Sequence, residues 1–193
     1  AEGNSAVSTT AIPPQVWQLD TASLSDANKA LRILPRELRS YRRGLRMVGR
    51  AVTVTASADL MPVLAGLQLS GPGDILVVDA GTTEHAVLGE LFATEAVRRG
   101  MAGIVVYGLC RDTATLTELP MPIYSLGTIP RAVGARRIPS TQQAVRLGDV
   151  EVHPGEILIG DDDGIVALSD SELDAALDAA EARFGPVDIV INN

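Results

Sequence analysis

Two short segments hold residue types that could do chemistry together. Gly89 and Glu90 stand where a helix opens after a strand and a loop, and Gly108-Leu109-Cys110 leads into Arg111-Asp112 after the next strand. Free N–H groups in a first helical turn, with the helix dipole behind them, favour anions. A glycine at that place lets a ligand approach the backbone closely. Arg111 can grip a carboxylate or a keto acid in a bidentate fork. Asp112 and Glu90 are hard oxygen ligands suited to Mg²⁺ or Mn²⁺ with waters retained. In parallel sheets ligands gather outside the carboxyl ends of strands, so both segments arrive at one rim. Taken alone the set is unspecific. An Arg-Asp pair is more often a surface ion pair, and a Glu in a first turn is more often a dipole match.

Other candidates carry less. Cys110 lies beside the arginine without a nearby histidine and reads as a small packing residue. His85 lies close enough in sequence to touch a substrate, but a loop histidine without a role is the commoner case. Asp161-Asp162-Asp163-Gly164 lacks the spacing and closing Glu of a calcium loop and reads as a turn between strands. Val77 to Thr83 resembles the first motif of a methyltransferase, but Thr83 stands where a second glycine would be needed.

Composition narrows the chemistry from outside. The chain has 193 residues, of which 46% are hydrophobic and only 3% aromatic. That is enough for one domain with a core of Ala, Val, Leu and Ile, and it excludes a wholly disordered chain. One cysteine and two histidines exclude disulfide frameworks and histidine-rich metal cages. The net charge of −8 argues against a general nucleic-acid binder. It conceals a local +7 between Lys29 and Arg50, where eight basic residues face one acid, leaving −15 elsewhere. That stretch reads as a solvated helix face plus a loop, ahead of a surface that attracts anions or an acidic subunit. No transmembrane helix or signal peptide is expected, so a cytoplasmic protein without a membrane partner is the default. Residues 1–11 read as a disordered tail or an expression remnant, and 12–193 as a single domain.

The elements that must position these residues follow from local signals. Ser25 can cap a helix from Asp26 that Pro35 limits. Gly49 to Thr55 is rich in β-branched residues and reads as a strand. Asp59 can cap a helix over Leu60 to Leu69. Asp74 to Asp79 is a continuous apolar run, typical of a strand buried on both faces. A helix over Val87 to Arg99, closed by Gly100, and a strand over Gly103 to Tyr107 complete a βαβ unit with parallel strands. Short strands follow at Pro122 to Tyr124, Gln143 to Val152, Glu156 to Gly160 and Gly164 to Leu168. A last helix opens with Ser169 and Glu172 at capping-box spacing. It carries an apolar stripe of Leu173, Ala176, Leu177, Ala180 and Phe184 and stops at Gly185-Pro186.

The run from Gly89 to Ala96, then Gly100 to Val106, then Gly108-Leu109-Cys110-Arg111-Asp112 resembles the signature of the RraA-like family. That family includes regulator of ribonuclease activity A and the 4-hydroxy-4-methyl-2-oxoglutarate aldolases. Val48 to Val54, Pro72 to Asp79, Val152 to Glu156 and Asp161 to Val166 are similar to further family segments, so the resemblance spans about Thr21 to Phe184. It implies an α/β fold of the swivelling β/β/α type and ring-shaped homotrimers, sometimes hexamers. It also implies a divalent-metal-dependent lyase that cleaves a 4-hydroxy-2-oxo acid to pyruvate and can decarboxylate oxaloacetate. Aldolase members place an acid, twenty residues, then Arg-Asp, and twenty residues separate Glu90 from Arg111 here. By resemblance Asp112 binds the metal directly and Glu90 acts through water. Arg111 binds the keto acid and stabilises the enolate, while the amides of Leu91 and Phe92, beside Gly89, hold the pyruvyl carboxylate. The inhibitor type is expected to lack that acid and would bind a ribonuclease instead. Three positions depart from the family: Thr115 and Tyr107 stand where members often carry acids, and Glu90 is longer than an Asp at the acid position; Tyr107 and Thr115 also fit a specialised pathway enzyme that reuses the metal–Arg site on a different acid.

Overall fold

The computed structural model describes residues 11–81, 84–135 and 141–184. After a single 3₁₀ turn at Pro14–Gln18, the elements run α1 (Thr21–Ala27), β1 (Arg32–Ile33), β2 (Arg39–Ser40), β3 (Met47–Thr55), α2 (Leu60–Leu69), β4 (Asp74–Asp79), β5 (Ala86–Leu88) and α3 (Glu90–Arg98). They continue with β6 (Gly103–Cys110), α4 (Thr113–Glu118), β7 (Ile123–Thr128), β8 (Val145–Leu147), β9 (Val150–Val152), β10 (Ile157–Gly160), β11 (Ile165–Leu168) and α5 (Asp170–Phe184). One sheet has the order β1-β11-β10-β3-β4-β6-β7-β2, with β5 added beside β6. β3, β4, β6 and β7 are parallel at its centre, while β10, β11 and β1 close one side in antiparallel pairs. β8 and β9 form a separate ribbon.

The central strands are apolar on both faces because both faces are covered. Val52, Val54, Leu76, Val78, Ile104 and Val106 pack beneath the helices α2 and α3. Ala51, Ile75, Val77 and Val105, on the alternate positions, pack against Val145, Leu147 and Val152 of the ribbon. The antiparallel end has its own core, where Ile157, Ile159, Val166 and Leu168 meet Leu173, Ala176 and Ala180 of α5. The α/β fold expected from the sequence is therefore the one observed, with a ribbon, a curled sheet and helices as successive layers.

Several local readings hold residue for residue. Asp59 caps α2, its Oδ1 accepting from the Met61 amide at 3.0 Å. β4 spans Asp74–Asp79. At the start of α5 the Glu172 amide donates to Ser169 Oγ at 3.2 Å, and the Ser169 amide donates to Glu172 Oε2 at 2.6 Å. The Ser169 amide and then Arg32 hold the Glu172 carboxyl below its usual range. Its stabilising effect is therefore present above the ordinary value of 4.5 and is lost as the pH falls through the lowered one. Glu172→Ala is expected to lower stability by about 1 kcal/mol, read as an earlier midpoint in urea unfolding.

Other readings are corrected. α1 begins at Thr21 and not at Asp26, because Asp20 caps it and Ser25 lies inside it. The Thr21 amide and hydroxyl both donate to the Asp161 carboxylate, at 2.8 and 2.7 Å, so the Asp161–Gly164 turn anchors this helix. The stretch 143–152 is not one strand but the β8–β9 hairpin, since Gly148 at φ +63 reverses the chain between them. The basic stretch is not a helix face. Arg32 bridges Glu156 at 2.8 Å and Glu172 at 3.1 Å, and Arg50 holds Asp170 at 2.7 Å. Arg42 donates to the carbonyls of Glu118 and Leu119, and Arg46 to those of Trp17 and Leu19. Much of the +7 is thus used to tie loops and helix ends to the sheet.

Candidate active site

The N-terminus of α3 and the end of β6 meet, as expected, but through different local structure. Ala86–Leu88 is a short strand and not the first turn of the helix. It pairs in parallel with the C-terminal half of β6, Ala86 opposite Leu109 and Leu88 opposite Cys110. β6 consequently runs on to Cys110, three residues past its expected end at Tyr107. β7 flanks it on the other side, with Thr128 opposite Cys110. Cys110 is thereby held on both edges and fully buried, and Arg111 is the first residue to leave the sheet. The Arg111 amide still donates to the Leu88 carbonyl at 2.9 Å, which fixes where it leaves.

Asp112 then takes a left-handed backbone conformation, φ +63 and ψ +43. Asp tolerates this region better than most non-glycine residues, and the strain concentrates where side-chain direction matters. Asp112 occupies the cap position of α4 yet makes no side-chain cap there. Its Oδ2 instead accepts the Glu90 amide, at 3.0 Å, at the start of α3. The same oxygen lies 3.6 Å from Arg111 Nε. Gly89 makes this approach possible. A Cβ there would stand 2.4 Å from Asp112 Oδ2 and 3.0 Å from Arg111 Cγ. Its backbone is extended, φ −154, so the glycine is required for space and not for conformation. The sequence reading reserved that space for a ligand; the Asp112 carboxylate fills it.

Gly89, Leu91, Phe92, Arg111 and Asp112 line one cleft of about 100 Å³, with Leu60, Ala86, Val87, Leu88 and Ala132 as its other walls. Glu90 is not among the lining residues. Its Oε2 accepts from the Thr115 hydroxyl at 3.3 Å, so the side chain leans toward α4. Thr115 thus holds the Glu90 carboxylate across the start of the two helices. Tyr107 lies against the core on the ribbon side of the sheet, away from the cleft. His85 lines a neighbouring depression with Ala58, Ala132, Val133 and Gly134. Leu60 and Ala132 were not legible as site residues. Leu60 comes from α2, whose first amide donates to Gly134 at 3.2 Å, and Ala132 bridges to Ala86. Only the tertiary fold brings them in.

Beneath the site, Tyr41 Oη lies 2.8 Å from Ser125 Oγ, and both hydroxyls face the Cys110 thiol. Burial pushes the thiol up to about 12, against the hydrogen bonds from Ser125 and Tyr41. Cys110 is a packing residue, as read from the sequence. It is expected to resist iodoacetamide at pH 8 in the folded protein and to react on unfolding. Because its folded value is raised, stability is unaffected below the ordinary value of 9.0 and falls as the pH rises from there toward 12.

Among the described residues no cluster of three or more His, Cys, Asp or Glu could form a dedicated metal cage. Two carboxylates at a solvent-reached rim do fit a hard cation that keeps most of its waters, as Mg²⁺ does. The exposed Asp112 carboxylate is engaged through Oδ2, and no hydrogen bond among the described residues reaches Oδ1. Asp112 and Glu90 are the residues that could hold such an ion. The Thr82-Thr83 part of the methyltransferase-like run lies outside the described residues.

The parallel centre of the sheet thus brings a guanidinium, a carboxylate and the first-turn amides of α3 to one strand rim. The family model described as Aldolase/RraA matches residues 21–167, and the chain belongs to the RraA-like family. A 4-hydroxy-4-methyl-2-oxoglutarate aldolase from Thermus thermophilus is 33% identical over 149 residues, covering 77% of this chain and 91% of that one. The structure of the RNA-processing inhibitor RraA, also from Thermus thermophilus, superposes with a TM-score of 0.72 at 32% identity, covering 78% and 92%. A structure from Geobacillus kaustophilus, named as an S-adenosylmethionine:2-dimethylmenaquinone methyltransferase, gives 0.73 at 30% identity, covering 78% and 94%. Among the described residues no helix is long and apolar enough to cross a membrane.

Proposed function

We propose that this protein is a carbon–carbon lyase acting on 2-oxo acids, releasing pyruvate from a 4-hydroxy-2-oxo acid by retro-aldol cleavage. The observation that carries this reading is the placement of Asp112. Its carboxylate forgoes its own helix and sits between Arg111 and the N-terminus of α3, at the mouth of the cleft. In that arrangement the Leu91 and Phe92 amides, which have no partner within the helix, bind the substrate's carboxylate. Arg111 pairs with the keto oxygen and neutralises the negative charge that develops there as the bond between C3 and C4 breaks. Glu90 takes the proton of the 4-hydroxyl through a water. The C4 fragment departs as a carbonyl compound, and the proton taken from the hydroxyl returns through the same water to C3 of the enolate, which leaves as pyruvate. Asp112, with Glu90 acting through water, would hold an Mg²⁺ or Mn²⁺ ion, which supplies Lewis acidity to the keto acid when bound. Loss of carbon dioxide from oxaloacetate passes through the same enolate, so the same residues serve both reactions.

The test is a screen of 4-hydroxy-2-oxo acids and oxaloacetate with Mg²⁺ or Mn²⁺, reading pyruvate. Metal-stimulated release is expected. The inhibitor named among the solved relatives motivates one rival reading, a regulator that binds a ribonuclease. Capture of a ribonuclease together with no pyruvate from any substrate would establish that rival instead.

A further inference from the structure

We infer that Tyr41 and Ser125 are positioning residues for the site: their paired hydroxyls pin the part of β7 against which the end of β6 is laid, and so set where Arg111 leaves the sheet. The inference rests on the lyase reading above and extends it to two residues outside the cleft. β6 reaches the rim through an irregularity. Val106 pairs with Ser125 and Leu109 with Gly127, so β6 carries an extra residue relative to β7. Such a bulge interrupts the ladder and redirects the strand. On its other edge β6 changes neighbour over the same residues, from β4 at Tyr107 to β5 at Leu109. Backbone pairing therefore fixes the height of Leu109 and Cys110 only weakly.

The two hydroxyls act at the residue where pairing resumes. Ser125 Oγ accepts the Gly127 amide at 3.2 Å. The Gly127 carbonyl lies 3.2 Å from Tyr41 Oη and 3.1 Å from Ser125 Oγ, and either hydroxyl can donate to it. The two oxygens are 2.8 Å apart, and both bond the Cys110 thiol of the neighbouring strand. Tyr41 is brought in by β2, its own amide donating to the Ile123 carbonyl at 3.0 Å. Its ring packs against the core on the helix side of the sheet, which a phenylalanine would do equally well. The hydroxyl is what tyrosine adds there. Ser125 is buried, where a polar group depends on its partners. Arg111 directly follows Cys110, so a shift of this pairing is a shift of the guanidinium.

The experiment measures kcat and KM for pyruvate release with Mn²⁺, on the best substrate of the screen above, for Tyr41→Phe, Ser125→Ala and the double variant. It also measures the inhibition constant of oxalate, a planar dianion shaped like the enolate of pyruvate. That constant reads the placement of Arg111 and does not depend on how much of the enzyme is folded. Each single variant keeps one donor for the Gly127 carbonyl and is expected to lose about threefold in kcat and to bind oxalate about threefold more weakly. The double variant is expected to lose about 10²-fold in kcat, more than the product of the singles, with oxalate weakened by more than about tenfold and KM within about twofold. Oxalate bound as tightly by all three variants as by the unaltered chain overturns the inference, whatever happens to kcat, and leaves the lyase reading intact. A double loss equal to the product of the single losses also overturns it. Pyruvate from no substrate of the screen overturns both.

Discussion

Asp112→Asn is expected to reduce metal-stimulated pyruvate release by about 10³-fold, equivalent to roughly 4 kcal/mol of transition-state stabilisation. The substitution isolates charge from shape. Asparagine adopts the left-handed conformation that residue 112 requires, and its amide oxygen can still accept the Glu90 amide. The loop and the start of α3 should stay in place, so thermal unfolding should move by no more than about 1 kcal/mol. What is lost is the anionic oxygen beside Arg111 and the hard ligand at the rim. Alanine at the same position is expected to be as inactive but less stable, because it leaves the Glu90 amide without its acceptor and holds the positive φ poorly. Steady-state kinetics with and without Mg²⁺, alongside calorimetry, separate the two effects. Turnover unchanged in Asp112→Asn would overturn the assignment of the site.

Gly89→Ala is expected to cost about 10²-fold in kcat/KM while leaving the fold intact. The added methyl would stand 2.4 Å from Asp112 Oδ2 and 3.0 Å from Arg111 Cγ, so both side chains must move. A displacement of about an ångström at reacting groups is enough for such a loss. The backbone itself accepts alanine, since its φ of −154 is extended. Alanine is a poorer helix cap than glycine, which adds about 1 kcal/mol of destabilisation. The informative measurement is the ratio of the two losses: activity should fall far more than stability. A variant with wild-type kcat/KM would mean that Asp112 need not sit against α3 for the chemistry.

The parts of the fold that were legible in the chain are those set by local chemistry. Asp59 before an apolar run specifies α2, and the unbroken apolar run Asp74–Asp79 specifies β4. Ser169 and Glu172 specify the start of α5 by bonding to each other's amides. The parts that were not legible are those where a distant strand decides. Ala-Val-Leu at 86–88 suits a helix or a strand equally, and becomes β5 because the end of β6 offers it unpaired backbone. The same pairing extends β6 to Cys110, beyond its apolar run.

The site divides in the same way. Sequence by itself determined which residue types are available: an arginine and aspartate after one strand, and a glycine and glutamate at the head of one helix, in a chain of one cysteine and two histidines. It also determined the family, because that spacing is a property of the chain. Tertiary structure decided what those residues do to one another. Asp112 could have capped its own helix, as aspartates at that position usually do. It reaches the next helix along the rim because β5 and β7 carry β6 outward to Cys110 and Gly89 leaves room. The apolar walls, Leu60 and Ala132, come from segments far from the motif. Side-chain direction and cleft lining depend on pairings between distant strands, and those are settled only when the sheet closes.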